Sequence, residues 1–232
     1  VPSAGGTVSV NTRAAEVDPG SGIKMSIGDN SYQKFTAFHN TGVNELGWSS
    51  SFLLGFWQGD GWRNGMQGEG TTYAFSVGYT PRGGDHEFNF SLIGAGQWHH
   101  QAYYGTQLQD YLDYGPIQGD DYRKFNALYG DYQGEEFSIL RNYYNKPLAT
   151  FNWDWEISSR VTLATSLYGS AGRGGGTGLR GRGSYGVSPF RESYAEYLDD
   201  HGEWRNPDTT INWGVAVQKN MAGAHVPDSG PF

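Results

Sequence analysis

Large apolar side chains alternate with small or polar ones along much of this chain. From Thr71 to Thr80 one face reads Thr71, Tyr73, Phe75, Val77 and Tyr79, and the other Thr72, Ala74, Ser76, Gly78 and Thr80. From Ala149 to Ile157 one face is Ala149, Phe151, Trp153, Trp155 and Ile157, and the other is Thr150, Asn152, Asp154 and Glu156. Trp48, Phe52, Leu54 and Phe56 make a third stripe, and Phe88, Phe90 and Leu92 a fourth. Successive side chains of a strand point to opposite sides, so a period of two with one large apolar face marks a strand between two unlike environments. The pattern predicts strands near 7–13, 21–29, 32–41, 47–58, 70–80, 86–95, 148–158 and 161–171. Segment 209–219, with Thr209, Ile211, Trp213, Val215 and Val217 on one face, reads equally as a further strand or as part of a long loop.

The second face decides between environments. In a soluble β-sandwich it meets water and carries Lys, Glu and Arg. Here it carries Ser, Thr, Asn, Gly and Asp, which fits a polar lumen behind a lipid-facing wall with interfacial aromatics. A secreted β-sandwich that binds carbohydrate is the competing reading. The connections are lopsided: short at 28–32, 41–47, 81–86 and 158–160, long at about 96–147 and 172–232. Long irregular loops are uncommon in compact domains, whereas outer-membrane barrels place short turns at one end and long loops at the other.

Composition narrows the class further. The 232 residues include 36 Gly, 16 Tyr, 12 Phe and 8 Trp. Gly is costly inside helices and aromatics favour pleated strands, so this is an all-β composition. There is no Cys, which removes disulfides, thiol catalysis and Cys-based zinc sites together. The net charge of −8 argues against nucleic acid as a partner. No apolar run reaches the ~18 residues of a membrane helix, but a barrel averages its two faces and escapes that test. The N-terminal residues carry neither an initiator Met nor a basic-then-apolar leader, so the chain reads as an internal or processed fragment.

Residues Pro2 to Arg13 contain Gly5-Gly6-Thr7 followed by Val8 and Val10 on one face and a basic Arg13. This stretch resembles the end of the plug domain in TonB-dependent receptors, where such a segment forms a last plug strand and leads into the barrel. Three further stretches resemble early barrel strands and loops of the large Bacteroidetes-type receptors. These are Gly94-Ala95-Gly96-Gln97-Trp98-His99-His100-Gln101, Tyr143 to Pro147 leading into Asn152-Trp153-Asp154-Trp155, and Ser166 to Gly178. The likeness covers most of residues 1–180. It implies an antiparallel transmembrane β-barrel, partial here, of a plugged class with about 22 strands, with long extracellular loops. Residues 1–17 would be the end of the plug and its linker, and 18–232 the first barrel strands and their loops. The Gly5, Gly6 and Thr7 motif would mark the plug end. The family imports scarce nutrients such as iron chelates, cobalamin, glycans or peptides, powered through TonB. The resemblance therefore implies the outer membrane of a Gram-negative bacterium, outer-membrane lipids, a TonB complex engaged through a segment outside this sequence, and a surface lipoprotein or other subunit as further candidate partners. No bond is made or broken, so no catalytic residue is expected. A passive porin is a third reading, disfavoured by the plug-like entry.

Other motifs are weaker. Gly176 to Gly181 matches G-x-G-x-x-G, but no convincing helix start follows, and a Gly-rich outer loop is the plainer reading. Trp98, His99, His100, Tyr103 and Tyr104 stand at the start of the long loop as candidate ligand contacts, with loop packing as the plainer reading. Adjacent His99 and His100 point to opposite sides of a strand and do not naturally share a metal. The pairs Asp120-Asp121, Glu135-Glu136 and Asp199-Asp200 read as solvated loop charge. Calcium held by them is a weak suggestion without EF-hand spacing. The tyrosines from Tyr103 to Tyr144 suit a loop folding on itself over the barrel mouth, and secondarily binding.

Overall fold

The alternating stretches fold as strands. In the computed structural model, which describes residues 12–102, 106–178 and 205–221, a meander runs through β1 (Gly20–Ile27), β2 (Gln33–Asn40), β3 (Trp48–Gly59), β4 (Gly68–Tyr79) and β5 (His86–His100). The chain then leaves the sheet for α1 (Leu108–Asp113), α2 (Gly115–Gln118), β6 (Gly130–Tyr132) and β7 (Glu135–Phe137). It returns as β8 (Arg141–Asn145) and β9 (Leu148–Ser158), and turns back as β10 (Val161–Ser170) and β11 (Arg173–Gly176). Later come β12 (Ile211–Asn212) and α3 (Trp213–Met221).

Nine strands form one open antiparallel sheet. β9 pairs with the first half of β5 and β8 with its last residues. Together they act as one long strand interrupted at Lys146-Pro147, where proline cannot donate to the ladder. β10 and β11 continue the sheet in the same divided way, on β9 and β8 respectively. No closed barrel forms among the described residues: β1 lies at one edge, and β10 and β11 at the other.

Register shows that the apolar stripes join into one face. Phe52 pairs with Phe75, Phe75 with Leu92, Phe90 with Phe151, and Trp155 with Leu163. On β1 the same face presents Ile23, Met25 and Ile27, which are 72%, 73% and 84% exposed. This apolar face is called outer here. The opposite, inner face carries Ser49, Ser51, Ser76, Gly78, Glu87, Asn89, Ser91, Asn152 and Asp154. Glycines let rings lie flat on both faces. A Cβ on Gly94 would collide with the Tyr73 ring, and one on Gly22 with the Phe38 ring.

All connections at one end are short: 41–47, 80–85 and 159–160. At the other end the β1–β2 hairpin turns through Asn30 and Ser31, both at φ 56°, the left-handed pair of a type I′ turn. That end also carries 60–67 and the excursion from 101 to 140, so the expected asymmetry of loops is present.

The excursion is structured. Phe125, Ala127, Leu128, Ile211 and Trp213 are buried there, with Tyr132, Phe137, Ile139 and Leu140 packed around them. Among the described residues, Ala14 is the only other buried hydrophobic side chain. The apolar core of the described residues therefore lies in a cap at the loop-bearing end. Arg205 ties the cap together, donating to the carbonyls of Ala127 and Thr209, both at 2.9 Å.

Three boundaries differ from the sequence expectation. β5 runs to His100, five residues beyond the predicted end at 95. Gly94 and Gly96 blur the alternation there, but backbone pairing with β4 and β8 carries on. Segment 209–219 is not an extended strand but mostly helix. Asn212 Oδ1 accepts the Val215 N–H at 3.1 Å, a side-chain cap that starts α3. The predicted strand 7–13 lies outside the described residues except for Thr12 and Arg13, which precede a 3₁₀ turn at Ala14–Glu16.

Candidate functional site

The inner face of β4, β5 and β9 holds the chain segment that precedes β1. Alternation puts Ser76, Asn89, Ser91, Glu87 and Asp154 on this face, and each of them meets residues 12–14. Ser76 Oγ donates to the Thr12 carbonyl at 2.6 Å, and the Ala14 N–H donates to Asn89 Oδ1 at 3.1 Å. The hydroxyls of Thr12 and Ser91 lie 3.1 Å apart. Arg13 donates to Glu87 Oε1 at 3.0 Å and pairs with Asp154. The Asp154 hydrogen bond, more than any other contact, holds the Arg13 guanidinium above the usual arginine range, against the opposing effect of partial burial. Glu87 and Asp154 are direct cross-strand partners, so their like charges would repel without a cation between them. In the same patch, the buried Ser49 Oγ and Asn89 Nδ2 have no hydrogen-bond partner among the described residues. Buried polar groups are normally paired, so this patch has capacity for further polar contacts.

Towards the loop-bearing end, the inner face opens into a pocket of about 390 Å³. Trp57, Trp62, Tyr32, Met66 and His99 line it, with Asp29 in the β1–β2 turn at its rim. Gly68 and Gly70 leave the wall low enough for this. A Cβ on Gly68 would press on His99, and one on Gly70 on the Trp57 indole.

The structure separates the predicted ligand residues. His99 enters this inner pocket. Trp98 and His100 point to the outer face, with ring centroids 5.4 Å apart. Trp98 Nε1 donates to Glu69 at 2.8 Å, and the Arg141 guanidinium lies 4.0 Å over its ring. His100 is buried, with Nδ1 3.8 Å from Glu136 Oε1. Tyr103, Tyr104 and the Gly5, Gly6, Thr7 motif lie outside the described residues, as do Asp199 and Asp200. Tyr111 and Tyr114 pack on Phe125, and Tyr132 on Phe137.

The remaining acids have other roles. Asp121 is engaged by Arg123 at 2.8 Å, and hydrogen bonding from that side chain holds its carboxyl below the usual carboxylate range. Burial, reinforced by Asp131, Glu136 and Asp208, pushes the Tyr129 phenol up. Among the described residues, no three His, Cys, Asp or Glu side chains converge as a metal site.

Sequence reading did not single out Arg13, Glu87, Asn89 and Asp154 as a set. The signal was nonetheless present: polar residues on the inner face of two strands that the register makes neighbours, and one basic residue just before the first strand. No family model, no characterised protein and no solved structure matches this chain.

Proposed function

We propose that this chain forms part of the wall of a plugged outer-membrane β-barrel that imports a nutrient, of the TonB-dependent type. One observation carries the reading: the sheet leaves its large apolar side chains exposed on one face, while its polar face grips the segment leading into the first strand. Lipid is the environment that would satisfy the first face. A polar lumen with a plug would satisfy the second, and further plug contacts would serve Ser49 and Asn89.

Two features agree with this. Trp48 stacks on Tyr79 with centroids 4.5 Å apart, and Trp153 lies parallel to Trp155 and Phe88. These aromatics gather on the outer face at the short-turn end, as interfacial girdles do. From Trp48 to Phe56 the strand rises about 27 Å, or about 20 Å across a membrane at a tilt of ~40°. That approaches the ~25 Å apolar band of such barrels. The barrel would close with strands beyond the described sheet, and the inner pocket around His99 would face the import path. The sandwich reading needs a second sheet over the apolar face, and among the described residues none packs there.

Membrane fractionation tests the wall. The protein should float with outer membranes and require detergent for extraction. Release into the aqueous fraction by salt or carbonate would refute the wall. Uptake by cells carrying the protein, with and without TonB, tests the energy source, and uptake unchanged without TonB would leave a passive pore.

A further inference from the structure

At the loop-bearing end of the outer face lies a groove of about 920 Å³, bordered by β4, β5, β8 and β11. Its floor is low because Gly96 has no side chain there. Trp98 and Tyr143 form a cross-strand pair along it. Phe56 closes its lower end and continues into the apolar face through Leu54, Phe75 and Leu92. Two arginines border it: Arg141 at the upper side, stacked on Trp98, and Arg173 opposite Asn145, across the groove from Phe56 and level with it in the register. Neither guanidinium has an ion-pair partner among the described residues. The groove's carboxylate, Glu69, accepts the Trp98 N–H instead. Arg141 and Asn145 are four residues apart, about 13 Å along an extended strand.

In a chain of net charge −8, two arginines in one aromatic groove, without an ion-pair partner among the described residues, favour an anion. Arginine's planar fork suits phosphate bidentately, and Trp and Tyr rings offer flat, amphipathic surfaces that suit sugar rings. The groove joins an apolar surface at its lower end, so its ligand should carry both a phosphorylated polar head and alkyl chains. We infer that this groove binds a phosphate-bearing glycolipid of the surrounding leaflet, with Arg141 and Arg173 on separate phosphates, Trp98 and Tyr143 against the sugar, and acyl chains running down past Phe56. The inference rests on the membrane-wall reading above.

The test uses the protein extracted from its native membrane in mild detergent and transferred to phosphatidylcholine nanodiscs. These carry a bisphosphorylated glucosamine-disaccharide lipid, its dephosphorylated form, or phosphatidylglycerol. Retained lipid is counted by native mass spectrometry. The bisphosphorylated lipid should be retained at least about tenfold over the other two. The double variant Arg141→Gln and Arg173→Gln should remove that preference, Arg141→Lys should weaken it in part, and Arg160→Gln at the opposite end should leave it intact. Equal retention of all three lipids, an equal loss in Arg160→Gln, or a preference that survives the double variant would overturn the inference. Displacement by inorganic phosphate alone would also overturn it, since the site would then recognise phosphate without lipid. A protein that needs detergent but shows no lipid preference would refute only this inference. One that is soluble without detergent would refute the wall reading, and this inference with it.

Discussion

Arg13 reaches from the segment before the first strand to Asp154 on β9, and the same guanidinium also holds Glu87 on β5. One cation thus bridges two carboxylates that face each other across neighbouring strands. Arg13→Ala would leave both acids without a counter-charge on a half-buried polar surface. The expected cost is about 1.5–3 kcal/mol, the range for hydrogen bonds to charged groups. It should appear as a lower thermal midpoint and as faster protease cleavage around Val17. Adding Asp154→Asn should recover part of the loss, because it removes one of the two repelling charges. A double variant no better than Arg13→Ala would mean that Asp154 contributes nothing beyond geometry.

Phe75 and Ala95 lie one strand apart on opposite faces. Phe75 is on the apolar side, 45% exposed, and Ala95 is exposed on the polar side. If the apolar side faces lipid, Phe75→Lys should cost ~2–4 kcal/mol when placed near mid-membrane. Ala95→Lys should be close to neutral, because its ammonium would stay in a wet lumen. Folded yields after refolding into phosphatidylcholine vesicles, compared between the two variants, measure this. Equal yields would mean that the faces do not differ in environment.

How far the fold could be read beforehand follows from these same residues. Phe75, Val77, Trp153 and Trp155 fall on one face, because alternation is a strictly local signal and strand pairing leaves it intact. The Arg13 site was out of reach for a different reason. It joins residues 74 positions or more apart in the chain, and only the register of β5 against β9 brings the two acids together. Segment 209–219 reads as strand or loop because Thr209, Ile211, Trp213, Val215 and Val217 alternate, yet Asn212 caps a helix that carries the last three. In this segment the tertiary contacts with Leu128 and Phe137 outweighed the periodic signal. The aromatic pocket around His99 was hidden by Gly68 and Gly70, whose contribution is the room they leave.

Asp121 provides a pH readout for the cap. Its carboxyl is half-buried and is held below the usual carboxylate range by hydrogen bonding from Arg123. A depressed folded-state value means that its small contribution is present above the ordinary carboxylate pKa. It is lost as pH falls through the depressed folded value. Carboxyl NMR should place the Asp121 titration below the usual carboxylate range, and Arg123→Gln should bring it back towards that range. An Asp121 that titrates within the usual carboxylate range in the parent protein would show that the Arg123 pairing is not kept in solution.

Trp213 is the keystone of the cap. It is 4% exposed and meets Phe137 edge-on with centroids 5.1 Å apart. It packs with Leu128 and Ile211 in a core that, among the described residues, shares no buried side chain with the nine-stranded sheet. Truncation to Ala removes a large buried aromatic and leaves a cavity, at an expected cost of about 3–5 kcal/mol. Because the cap has its own core, the loss should stay local. Hydrogen exchange should speed up at Gly130, Phe137 and Ile211, whose backbones form the small cap sheet, while β3 and β4 keep their protection. Trp213→Phe keeps most of the ring and should retain most of the protection. Uniform loss of protection through β3 and β4 would instead mean that the cap and the wall fold as one cooperative unit.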